Sequence, residues 1–326
     1  MEQGFIYAVT RIHNKEQTLL TSGDSERLIA AADVTACLRI LQEKGWNTVG
    51  STADDVDAFL NHETEKTWAL VEDLAGGLAP FLTLYHKNDY HNLKAAIKLV
   101  YMGKNAEHAE RYFMRPASVE PDTVFRTVLE HRFDDLPTAM AEAGLNAYEV
   151  LLHTSDGQAC DMIIDAATLV AVEDAAAHSG SELMRFYAAL KADEANIKAA
   201  IRASRMGKDH SFCRRAIASA GSLDTEALIS AAAESLEKLY EFLLTTEYAD
   251  AVYTLKESLS AFERWCADRL LEKISPQRHQ YYTIEPLVAY LLWRENEIGM
   301  VRLILSAKRN GLNVESIRSR MRLMYV

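Results

Sequence analysis

"NLKAAIKLVYMG" at Asn92–Gly103 returns, little altered, as "NIKAAIRASRMG" at Asn196–Gly207. Widened to Asp89–Gly103, the window lands on Asp193–Gly207 when 104 is added to each position. Eight of its fifteen residues are then identical, where about one would match by chance from average residue usage. A further step of 104 reaches Glu297–Gly311, "EIGMVRLILSAKRNG", where the match is by class. Asp becomes Glu297, Leu93 and Ile197 become Val301, Lys becomes Arg302, and the glycine stays as Gly311. Met300 departs from the pattern, standing where Asn92 and Asn196 stood. The register continues outside the window. Ser118–Asp122 lies 104 residues before Ser222–Glu226, and "DSERLI" at Asp24–Ile29 resembles "DTEALI" at Asp224–Ile229. Solenoid repeats run roughly 20–50 residues, so a period of 104 reads as three related domains: 1–117, 118–221 and 222–326.

The termini are out of phase with this repeat. A basic, helix-like stretch follows the glycine in each of the first two copies, "KNAEHAERYFM" and "KDHSFCRRAIAS". In the third copy "LNVESIRSRMRLM" plays that part and the sequence stops. "YAVTRIHNKEQTLL" occupies the same place before Asp24, with no repeat in front of it.

Within the echo, Leu93, Ile97, Val100 and Tyr101 fall on one helical face. Ile197, Ala200 and Ile201 repeat it, as do Val301, Ile304 and Leu305. Asp89, Asp193 and Glu297 are expected in the first turn or at the cap, where a carboxylate meets free N–H groups. Gly103, Gly207 and Gly311 are expected to end the helices in the left-handed conformation. Asp24 and Asp224 are expected to open further helices. Phe59–Gly76 and Ala261–Ile274 read as amphipathic helices, and "CDMIID" is a short apolar run inside a helical context. With 14 glycines and six prolines in 326 residues, and no convincing period-2 alternation, the fold class is all-α.

Composition narrows the function. Apolar residues make up 49% and charged residues 25%, as in soluble globular proteins. Cys37, Cys160, Cys213 and Cys266 stand alone, so neither a zinc knuckle nor a disulfide framework is indicated and a reducing compartment fits. The opening residues lack a signal-peptide apolar core, and no apolar run approaches the roughly 20 residues that span a bilayer. A net charge of −12 argues against nucleic acid, whose phosphates need a basic footprint, and against direct docking on or insertion into anionic lipid. No phosphate-binding loop is present. Gly76-Gly77 reads as a helix break before Pro80. His86 and His91 flank Asp89, but their spacing does not bring two imidazoles onto one helical face. "EHRFDD" at Glu130–Asp135 reads as a helix surface with local ion pairs. No catalytic, cofactor-binding or metal site is expected.

One pattern invites a partner. Lys198, Arg202 and Arg205 share the helix side away from the apolar stripe. Lys94 and Lys98 match the first two, and Arg302 and Arg309 match the first and third. A solvated face accounts for such a stripe. The alternative is a set of equivalent positions converging on a shared axis to meet a partner.

The C-terminal stretch "IEPLVAYLLWRENEIGMVRLILSAKRNGLNVESIRSRM" resembles the ending of the C subunits of V-type (archaeal/vacuolar-type) ATP synthases, relatives of the d subunit of eukaryotic vacuolar ATPases. Glu285, Pro286, Tyr290, Glu297, Val301–Leu305 and Lys308–Gly311 carry the likeness. "DEANIKAAIRA" resembles the family's middle-repeat helix and "YAVTRIHNKEQTLL" its first helix. The resemblance implies three helical domains in a funnel about a pseudo-threefold axis. It implies a non-catalytic rotor subunit on the cytoplasmic face, held there by protein contacts between the central-stalk subunits and the membrane proteolipid ring, in ATP-linked H⁺ or Na⁺ transport. A cytosolic all-helical scaffold for soluble proteins, unrelated to a rotor, is the rival reading.

Overall fold

The structure, a computed structural model, describes residues 2–47, 55–105, 109–318 and 320–324. Residues 106–108, within "KNAEHAERYFM", lie outside them. The described residues form helices joined by short turns, with no strand among them. In chain order these are α1 (Glu2–Glu16), α2 (Ser22–Ala30), α3 (Val34–Glu43), α4 (Val56–Ala75), α5 (Leu82–Tyr101), α6 (Pro121–Leu129), α7 (Thr138–Thr154) and α8 (Gly157–His178). They continue as α9 (Glu182–Arg205), α10 (His210–Ala216), α11 (Thr225–Glu234), α12 (Leu236–Leu244), α13 (Val252–Glu257), α14 (Leu259–Ile274), α15 (Glu285–Arg309) and α16 (Val314–Arg318).

The echoed segments are the C-terminal halves of the long helices α5, α9 and α15. Each ends in the same Schellman turn. The N–H of Lys104, Lys208 and Leu312 reaches back to the carbonyl of Leu99, Ala203 and Ala307, at 2.9, 3.0 and 2.9 Å. The glycines between adopt φ of 66°, 61° and 65°, where a Cβ would be strained.

The N-terminal expectation is corrected. Asp89, Asp193 and Glu297 lie inside their helices, which start at Leu82, Glu182 and Glu285. The cap of α9 is Ser181, whose hydroxyl accepts from Met184 N–H at 3.0 Å, and α15 has Pro286 in its first turn. Mid-helix these acids have no free N–H of their own helix to meet, so their partners lie elsewhere. Asp224 does cap α11, while Asp24 occupies the third position of a capping box whose cap is Thr21. The end of α4 fits the sequence: Gly76 takes φ 75° just after Ala75.

The chain divides into two compact units, one of Ala79–Tyr253 and one joining Met1–Leu78 to Thr254–Val326. In the central unit α8 packs against both α5 and α9. One of its cores runs from Tyr90, Leu93 and Ile97 through Val124, Phe125 and Val128 to Leu151 and Ile164. In the other unit α15 lies against α4 and α1. Its core interleaves Leu28, Leu41, Trp46 and Leu60 with Val301, Ile304, Leu305 and Ile317. Packing therefore runs across position 117, and the last repeat's long helix shares its core with the chain's first sixty residues. Each fully buried Leu, Ile or Phe contributes about 1.5–3 kcal/mol, which fixes this pairing of the two ends.

Candidate functional site: the basic stripe and the acids behind it

The stripe splits into two groups. Lys94 pairs with Asp165 at 2.6 Å and Lys98 with Asp161 at 2.6 Å, both carboxylates standing on α8. The lysines rise along α5 as the aspartates descend along α8, so equal four-residue spacings meet in antiparallel register. Arg302 lies 3.5 Å from Asp57 and 3.1 Å from Asn61 on α4. Lys198 folds back on Glu194, one turn earlier, at 3.3 Å. Lys94, Lys98 and Arg302 thus tie their helices to α8 and α4, while Lys198 is paired within α9. Arg202, Arg205 and Arg309 are exposed and have no carboxylate partner among the described residues. The structure thus keeps three of the seven positions available to a partner.

Beneath the stripe, each long helix carries a buried acid that receives the start of another segment. Asp89 accepts from Ser118 N–H at 2.7 Å, Ser118 Oγ at 2.6 Å and Val119 N–H at 3.2 Å. His86 Nδ1 lies 3.2 Å from the same carboxylate. Asp193, 104 residues on, accepts from Ser222 N–H at 3.1 Å, Ser222 Oγ at 2.6 Å, Leu223 N–H at 3.2 Å and Tyr248 Oη at 2.9 Å. One turn along the same helix face is an asparagine that reads the returning backbone. Asn92 donates to Met114 O at 3.0 Å and accepts from Met114 N–H at 2.7 Å. Asn196 donates to Ala218 O at 3.0 Å and Ala220 O at 2.9 Å, and accepts from Ala218 N–H at 2.8 Å. An aspartate and an asparagine three residues apart thus replace ladder partners for a loop that would otherwise bury unsatisfied backbone. Gly221, at φ 102°, passes so close to Asp193 that a Cβ would collide with its carboxylate.

In the third copy the receiving acid is Glu297, and the N–H it accepts belongs to Leu20, 277 residues away. Met300 cannot read backbone, and Asn296, one turn earlier, donates to Leu323 O at 3.0 Å. The N-terminal segment therefore takes the place that Ser118 and Ser222 hold in the first two copies. The phase shift seen in the sequence is closed in space by the chain's own beginning.

That closure is charged. The Arg294 guanidinium binds Glu297 and, at 2.7 Å, Glu63 of α4, and stands 4.3 Å from the centre of the Trp46 ring. Glu63 also accepts from Asn47 N–H at 3.3 Å. Glu63 and Glu297 side chains are 1% and 3% exposed, Arg294 9%. Burial pushes the Glu297 carboxyl above its ordinary value in spite of the neighbouring guanidinium. Burial works against the Arg294 cation, yet Glu297 and the other neighbours hold its pKa above the ordinary value. The Tyr290 phenol is pushed up to about 12, chiefly by burial. The sequence pattern suggests a helix cap for Glu297 and assigns nothing to Arg294 or Glu63. The signal within reach is "RENE", an arginine and a glutamate three apart directly after the apolar run Pro286–Trp293.

The remaining motifs are local. His91 Nε2 lies 3.1 Å from Tyr112 O, away from the His86–Asp89 pair. Arg132 pairs with Glu130 at 2.8 Å and Asp135 at 3.2 Å. Among the described residues no group of three His, Cys, Asp or Glu is placed to hold a metal, and no helix is long and apolar enough to cross a membrane. The four cysteines are buried and free.

These features define a class: an all-helical repeat protein whose buried polar groups hold its own loops, presenting charge at its surface. The chain belongs to the ATP synthase (C/AC39) subunit family, which matches residues 8–320. The V-type sodium ATPase C subunit of Enterococcus hirae is 22% identical, over 96% of this chain and 97% of its own length. The A-type ATP synthase C subunit of Haloferax volcanii is 23% identical and that of Halorubrum lacusprofundi 26%, each over 96% of both chains.

Proposed function

We propose that this chain is a non-catalytic rotor subunit of a V/A-type ATPase, coupling the central stalk to the membrane ring of ion-carrying subunits on the cytoplasmic side. The observation that carries this reading is family membership across almost the whole chain, with relatives named as C subunits matched end to end. The repeated acid-and-asparagine device supports it. Three long helices each grip another segment through a buried acid, as three related domains about a pseudo-threefold axis require. Rigid loops suit a part that transmits torque, since slack in a coupling element dissipates motion. Arg202, Arg205 and Arg309 are the stripe positions we assign to a partner contact, acting mainly on association rate and its salt dependence. Affinity capture of the tagged chain from detergent-solubilised membranes, with mass spectrometry, tests the reading. ATPase head, stalk and proteolipid subunits are expected in stoichiometric yield. Capture of soluble proteins alone would favour the scaffold reading.

A further inference from the structure

One short stretch concentrates positive charge in an acidic chain. Residues 202–215 hold Arg202, Arg205, Lys208, Arg214 and Arg215, with His210, against the single acid Asp209, while the whole chain carries −12. They form the end of α9, its glycine turn and α10, which packs back on α9 and is anchored by the buried Cys213. Two of the charged groups are engaged. Arg214 binds both oxygens of Glu226, at 2.7 and 2.6 Å, and Asp209 accepts from Phe212 N–H at 2.8 Å as the cap of α10. Arg202, Arg205, Lys208 and Arg215 have no carboxylate partner among the described residues.

Apolar groups stand among these cations. Arg202, Arg205 and Met206 follow one another at i, i+3 and i+4 on one side of the helix end. All three are exposed, Met206 by 58%. Lys208 N–H bonds the carbonyl of Ala203, three residues before Met206, so the chain leaves α9 beside Met206 and the second group begins two residues on. There the Lys208 ammonium lies 5.1 Å and the Arg215 guanidinium 5.9 Å from the centre of the half-buried Phe212 ring. Arg215 is steadied by donating to Ser211 Oγ at 2.8 Å. A bilayer or a nucleic acid spreads its negative charge well beyond so small a patch and would meet the acidic remainder of the chain. A peptide segment touches the patch alone, and an apolar side chain within it has Met206 and Phe212 to meet. We infer that the end of α9 and the start of α10 dock an acidic protein segment that carries an apolar side chain, its carboxylates meeting Arg202, Arg205, Lys208 and Arg215. The inference deepens the partner contact assigned above and rests on that reading only for which assembly supplies the segment.

The test titrates the full-length chain, at low salt, into labelled peptides followed by fluorescence anisotropy. The probes are a peptide of repeated Glu-Glu-Leu-Ala, the same peptide with Lys for Glu, and oligo-glutamate of equal charge. The Glu-Glu-Leu-Ala peptide is expected to bind, oligo-glutamate to bind more weakly, and the lysine peptide not to bind. Exposed ion pairs are individually weak, so Arg202→Gln/Arg205→Gln and Lys208→Gln/Arg215→Gln should each lose about five- to tenfold. Met206→Ser should weaken the Glu-Glu-Leu-Ala peptide and spare oligo-glutamate. Met102→Ser, at the matching helix end one repeat earlier where Tyr101 replaces Arg205, should change nothing. Circular dichroism confirms that each variant is folded. Equal binding of the lysine peptide, wild-type binding by either double variant, equal loss in the remote Arg11→Gln/Lys15→Gln, or stronger binding of oligo-thymidylate at equal charge would overturn the inference. In membranes, a photo-crosslinker placed at Met206 should join a peptide of another subunit rich in Asp and Glu. No such crosslink, with the ATPase subunits still captured, would overturn the inference and leave the functional reading standing. The expected peptide pattern with no ATPase subunit captured would uphold the docking site and end that reading.

Discussion

Replacing Arg294 by methionine removes the cation shared by two buried carboxylates and leaves a side chain of similar length beneath Trp46. Two charge-assisted contacts vanish, to Glu63 and Glu297, each worth about 1.5–3 kcal/mol. Glu63 keeps the half-exposed Lys66 ammonium at 3.4 Å, but Glu297, nearly sealed from water, is left without a cation. The expected cost is about 3–5 kcal/mol, the usual penalty for orphaning one side of a buried pair. The triple variant Glu63→Gln/Arg294→Met/Glu297→Gln removes the charges together. Each glutamine keeps a carbonyl for Asn47 N–H or Leu20 N–H, so the triple should lie within about 1–2 kcal/mol of the wild type. Urea unfolding, followed by the midpoint at constant slope, measures both. The pH dependence has a definite sign. Burial already raises the folded pKa of Glu297 above its ordinary value, and loss of the guanidinium raises it further. A raised acid contributes stability at low pH that is lost as pH rises through the folded pKa. Arg294→Met should therefore be closest to wild type below about pH 4, where ordinary glutamates are protonated, and furthest from it at neutral pH. A single variant costing under about 1 kcal/mol, or a triple as damaging as the single, would refute the view that an unpaired buried charge is what the closure avoids.

Gly221→Ala should lose about 1–3 kcal/mol, because φ 102° and the Asp193 carboxylate both exclude a side chain; a thermal melt unchanged from wild type would contradict it. Asp193→Ala strips four donors of their acceptor and should cost more than Asp193→Asn, which keeps one oxygen; equal melting temperatures would place the grip elsewhere. Burial opposes ionisation of Asp24, but the Lys44 ammonium at 2.9 Å and the Thr21 bonds hold its carboxyl below the ordinary 3.8. Its stability contribution is present above the unfolded pKa and lost as pH falls through the folded one, so Asp24→Asn should flatten the acid limb of a stability–pH curve. Arg202→Glu/Arg205→Glu should leave stability within about 0.5 kcal/mol and slow assembly with the stalk, as read by association kinetics at low salt.

The helices and their register are legible in the sequence, because apolar spacing and a terminal glycine are local signals. Gly103, Gly207 and Gly311 end their helices where the pattern puts them. The acids are legible too, but their role is not. A carboxylate beside an apolar stripe looks the same whether it caps its own helix or receives a loop thirty residues later, as Asp89 receives Ser118. The start of α15 is equally hidden, since "IEPLVAYLLW" offers no polar cap and Pro286 alone marks the first turn. The basic stripe can be read as a face, but not its division. Asp161 and Asp165 are ordinary surface acids until α8 is laid against α5. Least legible is the closure, because Glu63 and Arg294 are 231 residues apart. Its trace is nonetheless present: "YAVTRIHNKEQTLL" stands before Asp24 as the basic stretches stand before Ser118 and Ser222.

Coupling between ATP hydrolysis and ion movement is tested most directly in inverted membrane vesicles from cells lacking this chain, by measuring ATP hydrolysis and ATP-driven ion uptake together. Hydrolysis by the ATPase head should continue while ion uptake is lost, and adding back the purified chain should restore uptake. Ion uptake at the wild-type rate per ATP hydrolysed, with the chain absent, would contradict a coupling role.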